Sequence, residues 1–257
     1  MIQHATINGR SHHIFRQNSH DFALSGGAGE GVCYGLALDG CGSKPSHNEV
    51  GATLLGQFAA STLQQALAAL DDQTDVGVTA VIHTLHARCL HFLQQTTALF
   101  PWPNAAERAA FVASHWLATI VGFVVTPQTA VFFWQGDGYL VHDGRVITLD
   151  SDNRPNYLAY GLLREGTQSG TEEAQRFTER KSVQSAKSVD SFQTLVVERP
   201  SLQWLAVATD GWQTDLLQQL GEPRPGLQLA RWMNVQARQH GRFDDDGAVA
   251  IWLKANG

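Results

Sequence analysis

The chain has 257 residues, 43% of them hydrophobic, enough for one large core. Its formal charge of -6 at pH 7 offers no basic footprint for nucleic acid or for an acidic membrane surface. Three cysteines, Cys33, Cys41 and Cys89, are too sparse and too odd a set for a disulfide scaffold, and they fit a reducing cytoplasm.

The opening MIQHATINGRSHH lacks the apolar centre of a secretory signal, and no later stretch reads as a membrane span. FALS and VCYGLALD, separated by GGAGEG, predict two antiparallel strands joined by a glycine turn. That glycine run is not a phosphate loop, because no Lys-Ser/Thr follows and a strand comes next. Residues 48–70 switch to helical spacing, with Val50, Leu54, Leu55, Phe58 and Leu63 as the apolar stripe. A second helix is expected over residues 78–99. It carries His83, His86, Cys89 and His91 at a spacing zinc could use, but without CxxC they read as helix surface. PWPN ends that helix, and Asn104 can cap a third containing Phe111, Val112 and Trp116.

Strands follow in LATIVGFVV, TAVFFWQ, YLVHD and RVITL, the last two joined by the turn sequence HDGR. Residues 164–190 are polar and predict a surface excursion. FQTLVVE and QWLAVATD then read as strands, residues 226–239 as a helix, and AVAIWL as the closing strand. With no linker in sight, this order predicts one α+β domain over 1–257, with antiparallel sheets and helices outside.

Acidic residues stand where these apolar runs end: Asp21 in NSHDFAL, Asp39 in LALDGCG, Asp210 in VATDGW and Asp245 in DDDGAVAIW. A carboxylate is costly to bury alone, so several at strand ends point to a shared counter-charge, most economically a divalent cation. One Asp-Gly pair is ordinary turn chemistry. Two that end strands, together with two further acidic sites, are a stronger pattern. All-oxygen donors favour Mg²⁺ or Mn²⁺ over zinc, and two such ions can share a water and clamp a phosphate for in-line attack.

These motifs, in this order, resemble the metal-dependent protein phosphatase family PP2C, and particularly its divergent bacterial branch. SHHIFRQNSHD is similar to that branch's opening segment, LALDGCGSKPSHNEVGA to its first Asp-Gly motif, and WQGDGYLVHDGRV to its Gly-Asp hairpin. VATDGW resembles its second Asp-Gly motif, and FDDDGAVAIW its closing motif. The resemblance implies a four-layer αββα sandwich with a two-metal site at the sheet edges. It matches Asp39 to the bridging carboxylate and the Gly40 carbonyl to a further ligand. It matches Asp210 and Asp245 to the acids of the second ion, Asp21 to an outer acid, and Asp137 to a third, weaker ion site. Asp244 stands one step from the last position, and aligning Ala248 with the family's Ser/Thr favours Asp245. Arg16, five residues before Asp21, falls where typical members place a phosphate-binding Arg.

The implied activity is hydrolysis of phosphoserine and phosphothreonine in proteins, opposing a Ser/Thr kinase, without a covalent intermediate. Three positions depart from the pattern: Cys41 where many relatives carry His, His20 where Gln or Glu is usual, and Ala248. They leave open a catalytically silent phosphopeptide- or partner-binding module, and hydrolysis of a small phosphorylated metabolite is a third reading. His12 and His13 are read either as phosphate contacts or as a polar turn. Trp212, just after Asp210-Gly211, is expected to wall the cleft.

Overall fold

The computed structural model describes residues 1–42, 47–151, 155–165 and 191–255. Apolar runs buried on both faces become the central strands, and period-two alternation divides their side chains between two cores. The strands are β1 (Ile2–Ile7), β2 (Asp21–Gly29), β3 (Val32–Asp39), β4 (Ile120–Val125) and β5 (Ala130–Gln135). They continue with β6 (Gly138–His142), β7 (Arg145–Leu149), β8 (Gln193–Val197), β9 (Trp204–Ala208) and β10 (Gly247–Leu253). Two five-stranded antiparallel sheets result, ordered β1-β10-β9-β6-β7 and β2-β3-β4-β5-β8.

Facing sides of the sheets pack Ala37, Phe123, Phe132, Val207, Ala248 and Ala250 together. The outer face of the second sheet, with Leu36, Leu38 and Val124, is covered by α2 (Asn48–Ala68), α3 (Asp75–Ala98), α4 (Ala105–His115) and α5 (Tyr160–Glu165). On the outer face of the first, Ile7, Ala206 and Ile251 meet α6 (Thr214–Leu217) and α7 (Gln228–Gln236). Helix, sheet, sheet, helix is the layering expected from the resemblance.

Several local expectations hold. Asn104 accepts from the Glu107 amide at 2.9 Å and caps α4. In the β6–β7 hairpin, Asp143 and Gly144 both take positive φ, 46° and 82°.

Other expectations need correction. The strand β2 runs through most of GGAGEG, so the turn is only its last two residues. Gly26 is required there because a Cβ would sit 2.6 Å from the Tyr34 hydroxyl. The apolar stripe of α2 is rotated from the expected one: Val50 and Leu54 are exposed, while Ala52, Leu55, Ala59 and Leu63 face the sheet. His86 and Cys89 are buried rather than on the surface, and His86 Nε2 pairs with Gln135 Oε1 at 3.1 Å. Only His83 and His91 of that group are exposed. The strand β1 and the short helix α1 (Arg10–Phe15) were not anticipated at all. The polar stretch expected over 164–190 lies, from residue 166 onward, outside the described residues.

Among the described residues no helix is long and apolar enough to cross a membrane.

Candidate metal centre

Four strand ends and one tight loop carry the acids. Asp21 opens β2 and Asp39 closes β3, and the antiparallel register sets them directly opposite one another. The Asp39 backbone is fixed by the Thr119 amide, which donates to its carbonyl at 2.8 Å. Just beyond, Gly40 donates to the His20 carbonyl at 3.1 Å. A Cβ at Gly40 would lie 2.8 Å from both the Asn48 and His20 carbonyl oxygens, so glycine is needed for this close approach. Asn48 locks the same loop, donating to the Cys41 carbonyl at 2.8 Å and accepting from the Leu117 amide at 3.1 Å.

Asp137 sits between two glycines with positive φ, Gly136 and Gly138, and accepts from the Ser151 hydroxyl at 2.7 Å. Asp210 follows β9, and Asp245 precedes β10. The same sheet holds both, since β9 and β10 pair from Val249↔Ala208 onward.

Electrostatics show that these carboxyls share one region. Burial first, then the charge of Asp210, with smaller contributions from Asp137 and Asp245, push Asp39 up to about 8. A hydrogen bond from the Asp21 carboxyl partly offsets that rise. Asp21 is raised well above the ordinary carboxylate range, again by burial first and then by Asp39. Opposing this, the Thr209 hydroxyl donates to Asp21 Oδ2 at 2.5 Å. Asp210 is raised by desolvation, then by Asp137 and Asp245.

Asp39, Asp137, Asp210 and Asp245 therefore share one electrostatic neighbourhood, with Asp21 joined to it through Asp39, although no three of these five bring ligand atoms within 4.8 Å of one another. Among the described residues, no Lys or Arg forms an ion pair with Asp21, Asp39, Asp137, Asp210 or Asp245. Negative charge crowded together without a cationic side chain, in an all-oxygen donor set, fits a hard divalent cation.

The DDD run resolves into separate roles. Asp245, itself exposed, accepts from the Asp246 amide at 2.9 Å and lies near enough to Asp39 and Asp210 to raise both. Asp244 is exposed, and its carbonyl accepts from the amide and hydroxyl of Ser11, at 3.2 and 3.0 Å. Asp246, only 3% exposed, accepts from the Gly9 and His20 amides, both at 2.6 Å, and pairs with His12 Nδ1 at 2.7 Å. The sequence pattern did not single out Asp246 or Thr209; the one available signal was a third acid immediately before a buried strand. His12, Asp245 and Asp246 each place a ligand atom within 4.8 Å of the other two, the one such trio among the described residues. Two of its members are already bound to each other, so Asp246 acts mainly as an anchor for the N-terminal loop.

Four other positions singled out by the sequence fare differently. Arg16 is exposed in a left-handed conformation (φ 55°) at the end of α1, and among the described residues it forms no ion pair with the acids. Trp212 does not wall the cleft: it is 2% exposed, donates to the Ala248 carbonyl at 3.1 Å and packs edge-on against Phe243. His20 is buried beside His12, with ring centroids 4.6 Å apart. At the Cys41 position, Tyr157 is hydrogen-bonded to the thiol and its phenol is raised, by burial first.

Known proteins bear on these observations in three ways. The family model described as "Protein phosphatase 2C" matches residues 8–254. No curated protein matches the sequence. Solved structures share the fold at low identity. A serine/threonine phosphatase from Staphylococcus aureus aligns with TM-score 0.58 at 16% identity, covering 99% of this chain and 95% of its own. One from S. agalactiae gives 0.55 at 18%, covering 99% of each. A variant of a bacterial serine phosphatase gives 0.61 at 13%, covering 100% of this chain and 98% of its own.

Proposed function

This chain belongs to the protein phosphatase 2C family, and on that premise we propose that it is a metal-dependent phosphatase acting on phosphoserine and phosphothreonine in proteins. One observation carries the reading: five acids drawn from both sheets bear on one electrostatic neighbourhood, and among the described residues no Lys or Arg pairs with them. In this reading residues 1–257 work as one domain. Asp39, with Asp21 and the Gly40 carbonyl, would hold one Mg²⁺ or Mn²⁺ ion. Asp39, Asp210 and Asp245 would hold a second, and Asp137 would contribute to a third.

Hard divalent ions, when bound, supply charge that offsets these acids, grips phosphate oxygens and makes water nucleophilic near neutral pH. The remaining work falls to the protein. The Asp21–Asp39 pair must shed its shared proton before it can serve as a donor set, and the Thr209 hydroxyl favours that by stabilising the ionised Asp21. Asp246 holds the loop carrying His12 and His20 against the closing strand, which fixes where Asp21 begins. Arg16, exposed at the end of α1, is free to reach a phosphate oxygen as substrate arrives. Cys41 occupies the position from which a histidine would protonate a leaving alkoxide, so in this reading solvent does so.

The test is hydrolysis by purified protein with Mn²⁺ of p-nitrophenyl phosphate and of a phosphothreonine peptide, beside the Asp39→Asn variant. Turnover that vanishes in the variant while its circular dichroism is unchanged supports the proposal. Metal-loaded, folded protein that hydrolyses neither substrate refutes it and favours a silent binding module.

A further inference from the structure

The helix α1 is an anomaly of the fold. It spans six residues, Arg10–Phe15, and buries none of them. So short a helix does not persist on intrinsic propensity, and packing of an apolar face cannot be what holds it. Polar contacts to the closing loop do that work: the Arg10 amide donates to the Phe243 carbonyl, Ser11 to the Asp244 carbonyl, and His12 pairs with Asp246. The helix is thereby fixed beside Asp245, at the rim of the acid cluster.

On that fixed helix Ile14 is 66% exposed and Phe15 is 74% exposed. Apolar side chains of this size at such a position gain nothing for folding. Elsewhere exposed aromatics are partnered: Phe100 lies against Trp102 and Phe111. Phe15 has no ring contact among the described residues. The charge carried by the helix itself is one-sided. None of residues 1–20 is acidic, and Arg10, His13 and Arg16 are all exposed around the apolar pair, while the exposed Asp244 and Asp245 of the closing loop adjoin the start of the helix.

We propose that Ile14 and Phe15 form a docking platform for the substrate chain, accepting an apolar side chain that flanks the phosphorylated residue. The occupant is a protein segment rather than a metabolite, because a small phosphate ester filling the acid centre has nothing to lay across α1. The charge agrees: a phosphorylated segment is anionic, and the exposed ionisable groups of α1 and its C-cap, Arg10, His13 and Arg16, are all basic. This inference rests on the phosphatase reading of the adjoining site, and it supplies that site with a preference in its substrate.

The experiment compares wild type with the Ile14→Ser/Phe15→Ser double variant, both Mn²⁺-loaded, on three substrates. These are p-nitrophenyl phosphate, a phosphoserine peptide with leucines next to the phosphoserine, and the same peptide with serines in their place. The platform predicts unchanged p-nitrophenyl phosphate hydrolysis. It also predicts about a tenfold loss in kcat/KM, carried by KM, on the leucine peptide only. Equal losses on every substrate, or no loss on the leucine peptide, overturn it. Fluorescence anisotropy of the labelled leucine peptide gives a reading free of turnover. Binding weakened in the variant supports the platform even if the protein proves catalytically silent, and equal binding overturns it. A wild type that sediments as a dimer and a variant that sediments as a monomer also overturn it, because the face would then belong to a second copy of this chain.

Discussion

Asp21 and Asp39 stand directly opposite each other in the β2–β3 ladder, and their carboxyls are joined by a hydrogen bond that requires one of them to be protonated. Both are raised, Asp39 from 3.8 to about 8. Between those values the folded chain holds more protons than the unfolded one, so stability falls as pH rises. This contribution is complete in acid and is lost as pH climbs through about 8. Melting temperatures in EDTA are therefore expected to decline from pH 5 to pH 8. Because ligands must give up protons to bind cations, the upward shift on adding Mn²⁺ should be larger at pH 8 than at pH 5. Equal shifts at the two values would contradict proton-linked binding at this pair.

Replacing Asp39 by Asn removes a charge from a crowded cluster. Metal-free protein carrying Asp39→Asn is expected to melt no lower than wild type at pH 8, since repulsion with Asp210, Asp137 and Asp245 is relieved. Turnover should nevertheless drop by at least about 100-fold, as for loss of a group needed for electrostatic stabilisation. Differential scanning fluorimetry with and without Mn²⁺, beside steady-state kinetics, separates the two effects. A variant that is badly destabilised without metal would show that Asp39 is structural.

Asp246 makes a different prediction because it is already satisfied. Asp246→Ala leaves the Gly9 and His20 amides and His12 Nδ1 without their acceptor, which costs about 2–4 kcal/mol. Asp246→Asn should cost less, since one oxygen remains to accept. Urea unfolding in EDTA gives the ranking, and an alanine variant as stable as wild type would remove the anchoring role.

Thr209 joins the two sheets at the centre, donating to Asp21 and accepting from the Ala248 amide at 2.9 Å. Thr209→Val keeps the shape and loses both bonds. Without the hydroxyl, the ionised form of Asp21 is less favoured, so Mn²⁺ affinity by calorimetry at pH 7 should fall several-fold while secondary structure is retained. Unchanged affinity would place Asp21 outside the metal's reach.

Those residues differ in how readily the sequence discloses them. Asp39 and Asp210 were visible because each ends a run of residues too apolar to be anything but buried strand, and Asp-Gly marks the abrupt stop. Asp21 and Asp245 were visible from the converse edge, an acid just before such a run. The strand β1 was not visible, because IQHATI alternates too weakly to distinguish an edge strand from a polar terminus, and its role depends on pairing with β10. His86 and Cys89 misled because helical spacing shows which residues share a face but not whether that face meets a sheet. Trp212 and Asp246 were beyond local reading for the same reason. The partners that decide them lie 36 residues away for Trp212 and over 220 for Asp246.

The pairing of β1 with β10 carries a consequence for biosynthesis. The strand β10 comes after every other described strand in the chain, yet it is the neighbour of β1, and the Met1 nitrogen sits 2.7 Å from the Leu253 carbonyl. A nascent chain whose β10 is still inside the ribosome can already set Asp21 opposite Asp39, because that pair belongs to the other sheet. Asp245 and the Asp246 tether would still be missing from it. The cleft is thus completed only once β10 has joined β1 and β9.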